Sequence, residues 1–283
     1  MKTHLIAFLL LLTFPIVAQD FDKVQIRTIK ISDNIYMLQG QGGNIGVNVG
    51  DDGVMIIDDQ FAPLAGKIKA AISEISDKEV NYVVNTHHHG DHMGGNEVFG
   101  ADGSIIIAQD NVRTKLSGGD TPKVAWPVIT FSDDMTYYFN DEEIYIHHGP
   151  SAHTDGDAVV YFKTSNIIHM GDTFVTYGYP YIDIGGGGSV IGMIAHIGQV
   201  LDLIDENTTV IPGHGDLCKK SDMIIFRNIL IDIVDRVKTE MESGKNLDEI
   251  QSSGIISRYD QRMNGGFIKS PDFIGFVYED LAK

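Results

Sequence analysis

Four of the chain's eleven histidines fall between positions 87 and 92, in the stretch Thr86-His87-His88-His89-Gly90-Asp91-His92-Met93-Gly94-Gly95. Neutral imidazoles with a carboxylate among them are ligands that suit a divalent transition metal such as zinc. A surface tract or affinity tag has a similar composition. A tag, however, does not sit inside a chain behind an apolar run such as Val80-Asn81-Tyr82-Val83-Val84. At the end of an extended strand, residues two apart point to the same side, so His87 and His89 can chelate one ion. Asp91 and His92 follow the Gly90 turn and are directed elsewhere, which suits a second, adjacent ion. His88 lies between the ligands and points away from them, as a supporting or solvated neighbour.

Other apolar runs also end in metal-capable residues. Asp58 closes one, His153 stands between Gly149 and Gly156, Asp172 follows Gly171, and His214 is bracketed by Gly213 and Gly215. Glycine lets the chain turn sharply there, so that side chains from distant segments can converge. A catalytic zinc usually takes three protein ligands and keeps one position open. His87, His89 and His153 could complete one such set, and Asp91, His92 and His214 a second. Asp172 has two oxygens and can bridge the two ions.

The elements that must position these residues are legible from periodicity. Residues 24–31 alternate as a half-buried strand does, with a hairpin partner over 35–39. A second pair, 44–49 and 54–57, turns at Gly50-Asp51-Asp52-Gly53. Pro63 suits the first turn of a helix with an apolar stripe of Leu64, Ile68, Ala71, Ile72 and Ile75. Strands are predicted over 80–84 and 104–108, and a long loop over 116–127 carries the sole tryptophan, Trp126. Hairpins follow over 135–147 and 158–170. Ser189 is the expected cap of a helix with a face of Ile191, Ile194, Val200, Leu201 and Ile204. A strand over 209–211 leads to His214. Ser221 is the expected cap of a helix running to Gly244 with Ile224, Ile225, Leu230, Ile233, Val234 and Val237 inside, and Pro271 opens a last helix. The pattern is two comparable halves with no linker between them. Two sheets face to face with helices outside would bury both sets of apolar faces.

Composition narrows the partners. The net charge of −18 repels nucleic acid, which needs a basic footprint, and disfavours capture of highly anionic substrates. The partner expected is a small-molecule substrate; the sequence leaves oligomeric state open. Residues 1–18 read as a secretory signal: Lys2 and His4, an apolar run over 5–12, Pro15, and a small residue, Ala18, before a first mature residue Gln19. The apolar core is too short to span a bilayer, and no later run is long enough. The mature chain, 19–283, is expected as a single domain that is periplasmic or secreted. Cys218 is the only cysteine, so no intramolecular disulfide forms.

The ordered motifs resemble those of the metallo-β-lactamase superfamily. Residues 87–92 fit its His-x-His-x-Asp-His signature, and Asp58, His153, Gly171-Asp172-Thr173 and Pro212-Gly213-His214-Gly215 follow in that family's order across roughly residues 24–216. The resemblance implies an α/β fold, the four-layer αββα sandwich of two mixed sheets, with a binuclear zinc site in the cleft at the sheet edge. It implies the ligand sets above, two Zn²⁺ per chain, and Asp58 as the residue that orients the histidine loop. Where one lactamase subclass has a zinc-binding cysteine, this chain has Asp172. That arrangement is similar to glyoxalase II, in which the Asp bridges both metals. With the sets full, Cys218 reads as a packed small residue. His147, His148, His169 and His196 read as ordinary polar neighbours.

The chemistry implied is hydrolysis. A hydroxide held between two zincs attacks a carbonyl, and Asp91 binds metal while orienting the attacking water or accepting its proton. Export favours a β-lactamase-like reaction on cyclic amides or esters. A glyoxalase II-like thioesterase or a lactonase is the alternative, and a phosphodiesterase or an iron-binding redox member of the fold stands behind both. Trp126 as a lid, with Tyr177, Tyr179 and Tyr181 as a wall, would shape the substrate site.

Overall fold

The apolar run Val54-Met55-Ile56-Ile57 lies in a strand, β4 (Gly53–Ile57), that is buried at every position. Its side chains alternate: Val54 and Ile56 pack outward against helices, and Met55 and Ile57 pack inward against a second sheet. A strand covered on both faces loses the polar alternation of a surface strand, which is why it reads as a continuous apolar run. The same division recurs in β10 (Ala158–Phe162). There Val159 and Tyr161 face one helical layer, and Ala158, Val160 and Phe162 face the space between the sheets.

The computed structural model describes residues 20–283. The signal-like segment 1–18 and Gln19 lie outside the described residues. One sheet takes β1 (Arg27–Lys30), β2 (Ile35–Gln39), β3 (Ile45–Gly50), β4, β5 (Val80–Val84), β6 (Ile105–Gln109) and β7 (Ile129–Phe131) in that order. It is antiparallel as far as β4 and parallel from β4 to β7. The other sheet runs β13 (Cys218–Lys219), β12 (Thr209–Ile211), β11 (Ile167–His169), β10, β9 (Glu142–His148) and β8 (Asp134–Phe139), with only β11 and β12 parallel.

Helices α1 (Ala65–Ser73), α2 (Gly90–Met93), α3 (Asn96–Ala101) and α4 (Asp110–Gly118) come from the first half of the chain. Helices α5 (Val190–Leu203), α6 (Lys220–Glu242), α7 (Leu247–Ser252), α8 (Asp260–Met263) and α9 (Ser270–Leu281) come from the second. Four apolar clusters follow: α1 and α3 against the first sheet, sheet against sheet, α5, α6 and α9 against the second sheet, and a small one where α4 packs on β6. This is the expected αββα sandwich. Among the described residues, no helix is long and apolar enough to cross a membrane.

Three local expectations are corrected. The loop over 116–127 begins inside a helix: α4 occupies 110–118 and buries Val112 and Leu116. In α5 the buried stripe is Val190, Met193, His196, Ile197 and Val200, whereas Ile191 is exposed. In α6 it is Met223, Phe226, Ile229, Leu230, Ile233 and Val237, with Ile224 and Ile225 exposed. Both helices are apolar around more than one face, so periodicity leaves their rotation undetermined. α6 also begins two residues earlier than a cap at Ser221 would place it. Lys219 is its N-cap, and its backbone N–H donates to the Asp222 carboxylate at 3.1 Å.

At the edge away from the histidines, Asn140 fastens the two sheets. Its backbone is left-handed (φ 52°). Its amide Nδ2 donates to Asn48 Oδ1 at 2.7 Å and to the Gly53 carbonyl at 3.1 Å, and its Oδ1 accepts from Asp52 N at 2.9 Å. Asn140→Ala removes these bonds and puts a Cβ residue without a local hydrogen bond in the left-handed region, so a loss of about 2–4 kcal/mol is expected in urea denaturation. Asn140→Gly should recover about 1 kcal/mol of that, the backbone share.

Candidate metal centre

Parallel neighbours in a sheet end at the same edge, and so do strands separated by one antiparallel partner. Asp58 follows β4 and the histidine stretch follows β5. His153 comes shortly after β9, Asp172 after β11, and His214 after β12. Backbone bonds stitch these ends together across the sheets: Asn44 N to Gly213 O at 2.7 Å, Ala158 N to Thr86 O at 2.8 Å, and Gly43 N to Asp91 O at 3.0 Å.

All seven residues singled out as ligands meet there, in two groups. In the first, the rings of His87, His89 and His153 stand nearly perpendicular to one another, with centroids 4.6 to 4.9 Å apart. Such a tripod directs three nitrogens at one point, and His153 Nε2 lies 2.8 Å from His89 Nδ1. In the second, His214 Nε2 lies 3.2 Å from both His92 Nε2 and Asp91 Oδ2. Asp172 stands between the groups. Its Oδ1 is 3.2 Å from His92 Nε2 and 3.5 Å from His214 Nε2, and its Oδ2 is 3.6 Å from His153 Nε2. One carboxylate oxygen therefore addresses each group.

The residues present fit a bound cation. His87 is fully buried, and its Nε2 has no hydrogen-bond partner. An orphaned buried nitrogen is costly unless something else satisfies it. Burial, and then the charges of His92 and His153, hold His87 well below the usual histidine range, and burial takes His153 down to about 4. Both are thus neutral imidazoles at neutral pH, the form that ligates. His92 behaves oppositely. Burial favours its neutral form, but the carboxylates of Asp172 and Asp58 outweigh that and raise it well above the usual value. Burial also opposes ionisation of Asp172, yet the His92 and His214 charges hold it well below the carboxylate range.

Each ligand ring needs its second nitrogen held if the first is to point correctly. His87 Nδ1 meets Thr86 Oγ1 at 3.0 Å, His153 Nδ1 meets the Tyr181 carbonyl at 2.7 Å, and His92 Nδ1 meets Asp58 Oδ2 at 2.7 Å. Asp58 also accepts from Thr86 N (2.7 Å) and Thr86 Oγ1 (2.8 Å), from a left-handed backbone at φ 65° and with no solvent exposure. Asp58 thus contacts both the start and the end of the histidine stretch, at Thr86 and at His92. The partner of His89 is one that sequence reasoning missed: Asp183, whose Oδ2 lies 3.0 Å from His89 Nε2. The only signal for it was an acid before the glycines at 185–188, found by asking what holds the second nitrogen of His89. His88 also turns toward Asp183, with its Nε2 3.6 Å from the same oxygen.

The proposed substrate wall is partly corrected. Residues 177, 179 and 181 alternate as an extended chain does. The Tyr177 ring packs on His214 at 5.6 Å, and the Tyr181 ring packs on His89 and His153 at 5.9 and 5.8 Å. Tyr179 points the other way. It is fully buried, stacks on Phe273, and donates its hydroxyl to Asp260, so it is core and not wall. Trp126 is fastened rather than loose. Its indole N–H donates to the Thr121 carbonyl at 2.9 Å, and the ring packs with Val112, Leu116 and Met93, which is a packing role and not that of a lid.

The remaining side chains are accounted for in the main. His169 Nε2 donates to Asn44 O, and its Nδ1 accepts from Gly171 N. His147 meets Asp134 and Gln199, and His148 meets the Asp157 carbonyl. His196 is buried on α5, and burial lowers it to about 3. Cys218 Sγ approaches the Val210 carbonyl, burial pushes its thiol up to about 12, and it stands in none of the ligand groups.

Residues 38–214 match the family described as the metallo-beta-lactamase superfamily. The chain belongs to that superfamily. It is similar to hydroxyacylglutathione hydrolases of Polaromonas sp. (27% identical over 155 residues, 54% of this chain and 55% of that protein) and of Pelagibacter ubique (28% over 149 residues, 52% and 57%). The chain thus spans about half the length of the curated relatives it matches. Its fold is shared with a metallo-beta-lactamase from Pontibacter korlensis (TM-score 0.65, 17% identity, 74% of this chain and 100% of that one). It is also shared with a double mutant of the sec-alkyl sulfatase PisA1 (TM-score 0.73, 13% identity, 90% and 50%). The converging His and Asp residues make a potential metal site within that fold.

Removing the carboxylates that hold the ligand rings should loosen the site without touching a ligand. Asp58→Ala, or Asp183→Ala, is expected to lower metal affinity by about 10–100-fold, read by competition with a chromophoric chelator. An unchanged affinity in both variants would remove them from the site.

Proposed function

We propose that this chain is a two-zinc hydrolase that cleaves an activated carbonyl, with esters, thioesters and lactones ahead of β-lactams. The observation that carries the reading is Asp172, with one oxygen toward each group of ligands. A carboxylate in that position is the glyoxalase II-like arrangement. The similarity to hydroxyacylglutathione hydrolases supports the same ordering. Hydrolysis of cyclic amides is the second reading, favoured by the signal-like N-terminus, which suits a periplasmic or secreted enzyme.

His87, His89 and His153 would hold one ion and Asp91, His92 and His214 the other, with Asp172 between them. A pair of zinc ions supplies Lewis acidity and makes water acidic enough to react at neutral pH. The protein's own groups do the rest. Burial opposes ionisation of Asp91, but its hydrogen bond with His214 and the His92 charge hold the carboxyl below its ordinary value. Asp91 is therefore an acceptor at neutral pH, placed to orient the attacking water and take its proton. Asp58 and Asp183 keep His92 and His89 turned toward the site, and Tyr177 and Tyr181 shield it from bulk water.

Purified protein is expected to hold close to two zinc per chain by elemental analysis. A panel of thioesters, lactones, β-lactams and phosphodiesters then orders the substrates. Iron in place of zinc, with no hydrolysis of any member, would refute the reading. Asp91→Ala should lower kcat by about 100-fold or more with an unchanged circular dichroism spectrum. For the exported form, N-terminal sequencing of protein recovered outside the cytoplasm should begin at Gln19; an intact Met1 would rule out cleavage there.

A further inference from the structure

The exposed aromatic Phe267 lies where the two halves of the candidate site meet. Its ring stacks on Tyr177 (centroids 6.4 Å apart, 29° between planes) and leans on Tyr181 (6.2 Å, 42°). Tyr177 in turn covers His214 of one ligand group, and Tyr181 covers His89 and His153 of the other. Tyr181 is backed by Phe276 of α9 at 5.6 Å. Phe267 is 70% exposed, although Met263 and Ile268 on either side of it are buried at 3% and 6%.

The segment that carries Phe267 is held firmly. Tyr179 N donates to the Met263 carbonyl at 2.8 Å, and Lys269 Nζ donates to the carbonyls of Asn264 (2.8 Å) and Gly266 (2.7 Å). A Cβ on Gly266 would lie 2.3 Å from the Tyr177 ring, so only glycine lets this backbone lie flat against it. A lone exposed phenylalanine needs no explanation. One pinned in place, continuous with two half-buried tyrosines over ligand residues, forms an apolar surface that has something to bind.

We infer that Phe267, Tyr177 and Tyr181 form an aromatic clamp that takes a flat aryl group of the substrate next to the scissile bond. Tyr177 and Tyr181 lie within the family match, which ends at residue 214, and Phe267 is added from the chain beyond it. Aryl rings pack on such a surface by offset or edge contact, a geometry that a short alkyl chain cannot reproduce. The acidic balance of the chain does not compete with this mode, because an aryl ring needs no cationic partner.

The placement of the scissile bond rests on the hydrolase reading, so the test separates the two. The zinc-loaded protein is titrated calorimetrically with phenylacetate and with acetate. Phenylacetate should bind at least about tenfold more tightly. Phe267→Ala should reduce that preference to threefold or less, by rough expectation from the loss of one aromatic contact. Phe267→Trp should retain it, as should Tyr138→Ala, which removes an exposed aromatic of β8. No preference in the native chain, or one that survives Phe267→Ala, overturns the clamp. Phenylacetyl and acetyl thioesters of one thiol form the second arm, where the ratio of their kcat/KM values should fall in Phe267→Ala by the same factor as the binding preference. Phenylacetate binding that depends on Phe267, with neither thioester nor any member of the wider substrate panel cleaved, sinks the hydrolase reading and leaves the clamp. Cleavage of both at a ratio indifferent to Phe267 sinks the clamp and leaves the hydrolase.

Discussion

A single buried carboxylate, Asp58, sets the geometry on which the site depends. It accepts three hydrogen bonds from the next strand end: Thr86 N, Thr86 Oγ1 and His92 Nδ1. Charge-assisted bonds in a solvent-free setting are strong and directional, and three on one carboxylate leave the loop little freedom. Thr86 carries the constraint onward, since its hydroxyl also meets His87 Nδ1. One residue thereby orients a histidine in each ligand group. Asp58 takes a left-handed backbone to do so, a local cost of the kind that concentrates at functional sites.

The sandwich makes this convergence possible. Ligands arrive from both sheets, and the two sheets are locked together at that edge by Asn44, whose side chain donates to the carbonyls of Pro212 and Gly215. At the far edge Asn140 performs the same service. With both edges fastened and a continuous apolar layer between the sheets, the strand ends are rigid mounts for the histidines. Rigid mounts matter because a ligand tripod tolerates only small errors in direction.

The C-terminal third acts differently. Helices α5, α6 and α9 cover the outer face of the second sheet and supply no ligand to either group. What this region brings to the site is apolar surface: Phe276 behind Tyr181, Phe267 across both tyrosines, and Met263 anchoring the segment between them. Beyond Tyr177 and Gly215 lies a cavity of about 540 Å³ that also takes in Leu217, Phe226 and Arg262. None of the ligand residues line it. The ligand groups lie wholly inside the family match, whereas the aromatic surface beside them joins Tyr177 and Tyr181 from inside it to Phe267 and Phe276 from outside it.

The sequence alone determined which metal-capable residues converge at one sheet edge, most strands and the layered architecture. Those features are local or periodic. A histidine two residues from another at a strand end declares its direction, and a doubly buried strand such as β4 declares itself by unbroken apolar character. Tertiary structure decided what depends on distant contacts. It rotated α5 and α6, whose apolar residues occupy more than one face, so that Ile191, Ile224 and Ile225 became exposed. It turned Tyr179 into the core while leaving Tyr177 and Tyr181 at the site, a choice of register that three tyrosines in alternation cannot announce. It brought Asp183 to His89 across 94 positions of sequence, and Phe267 over both tyrosines. Periodicity reports which face of an element is apolar; only packing decides what that face meets.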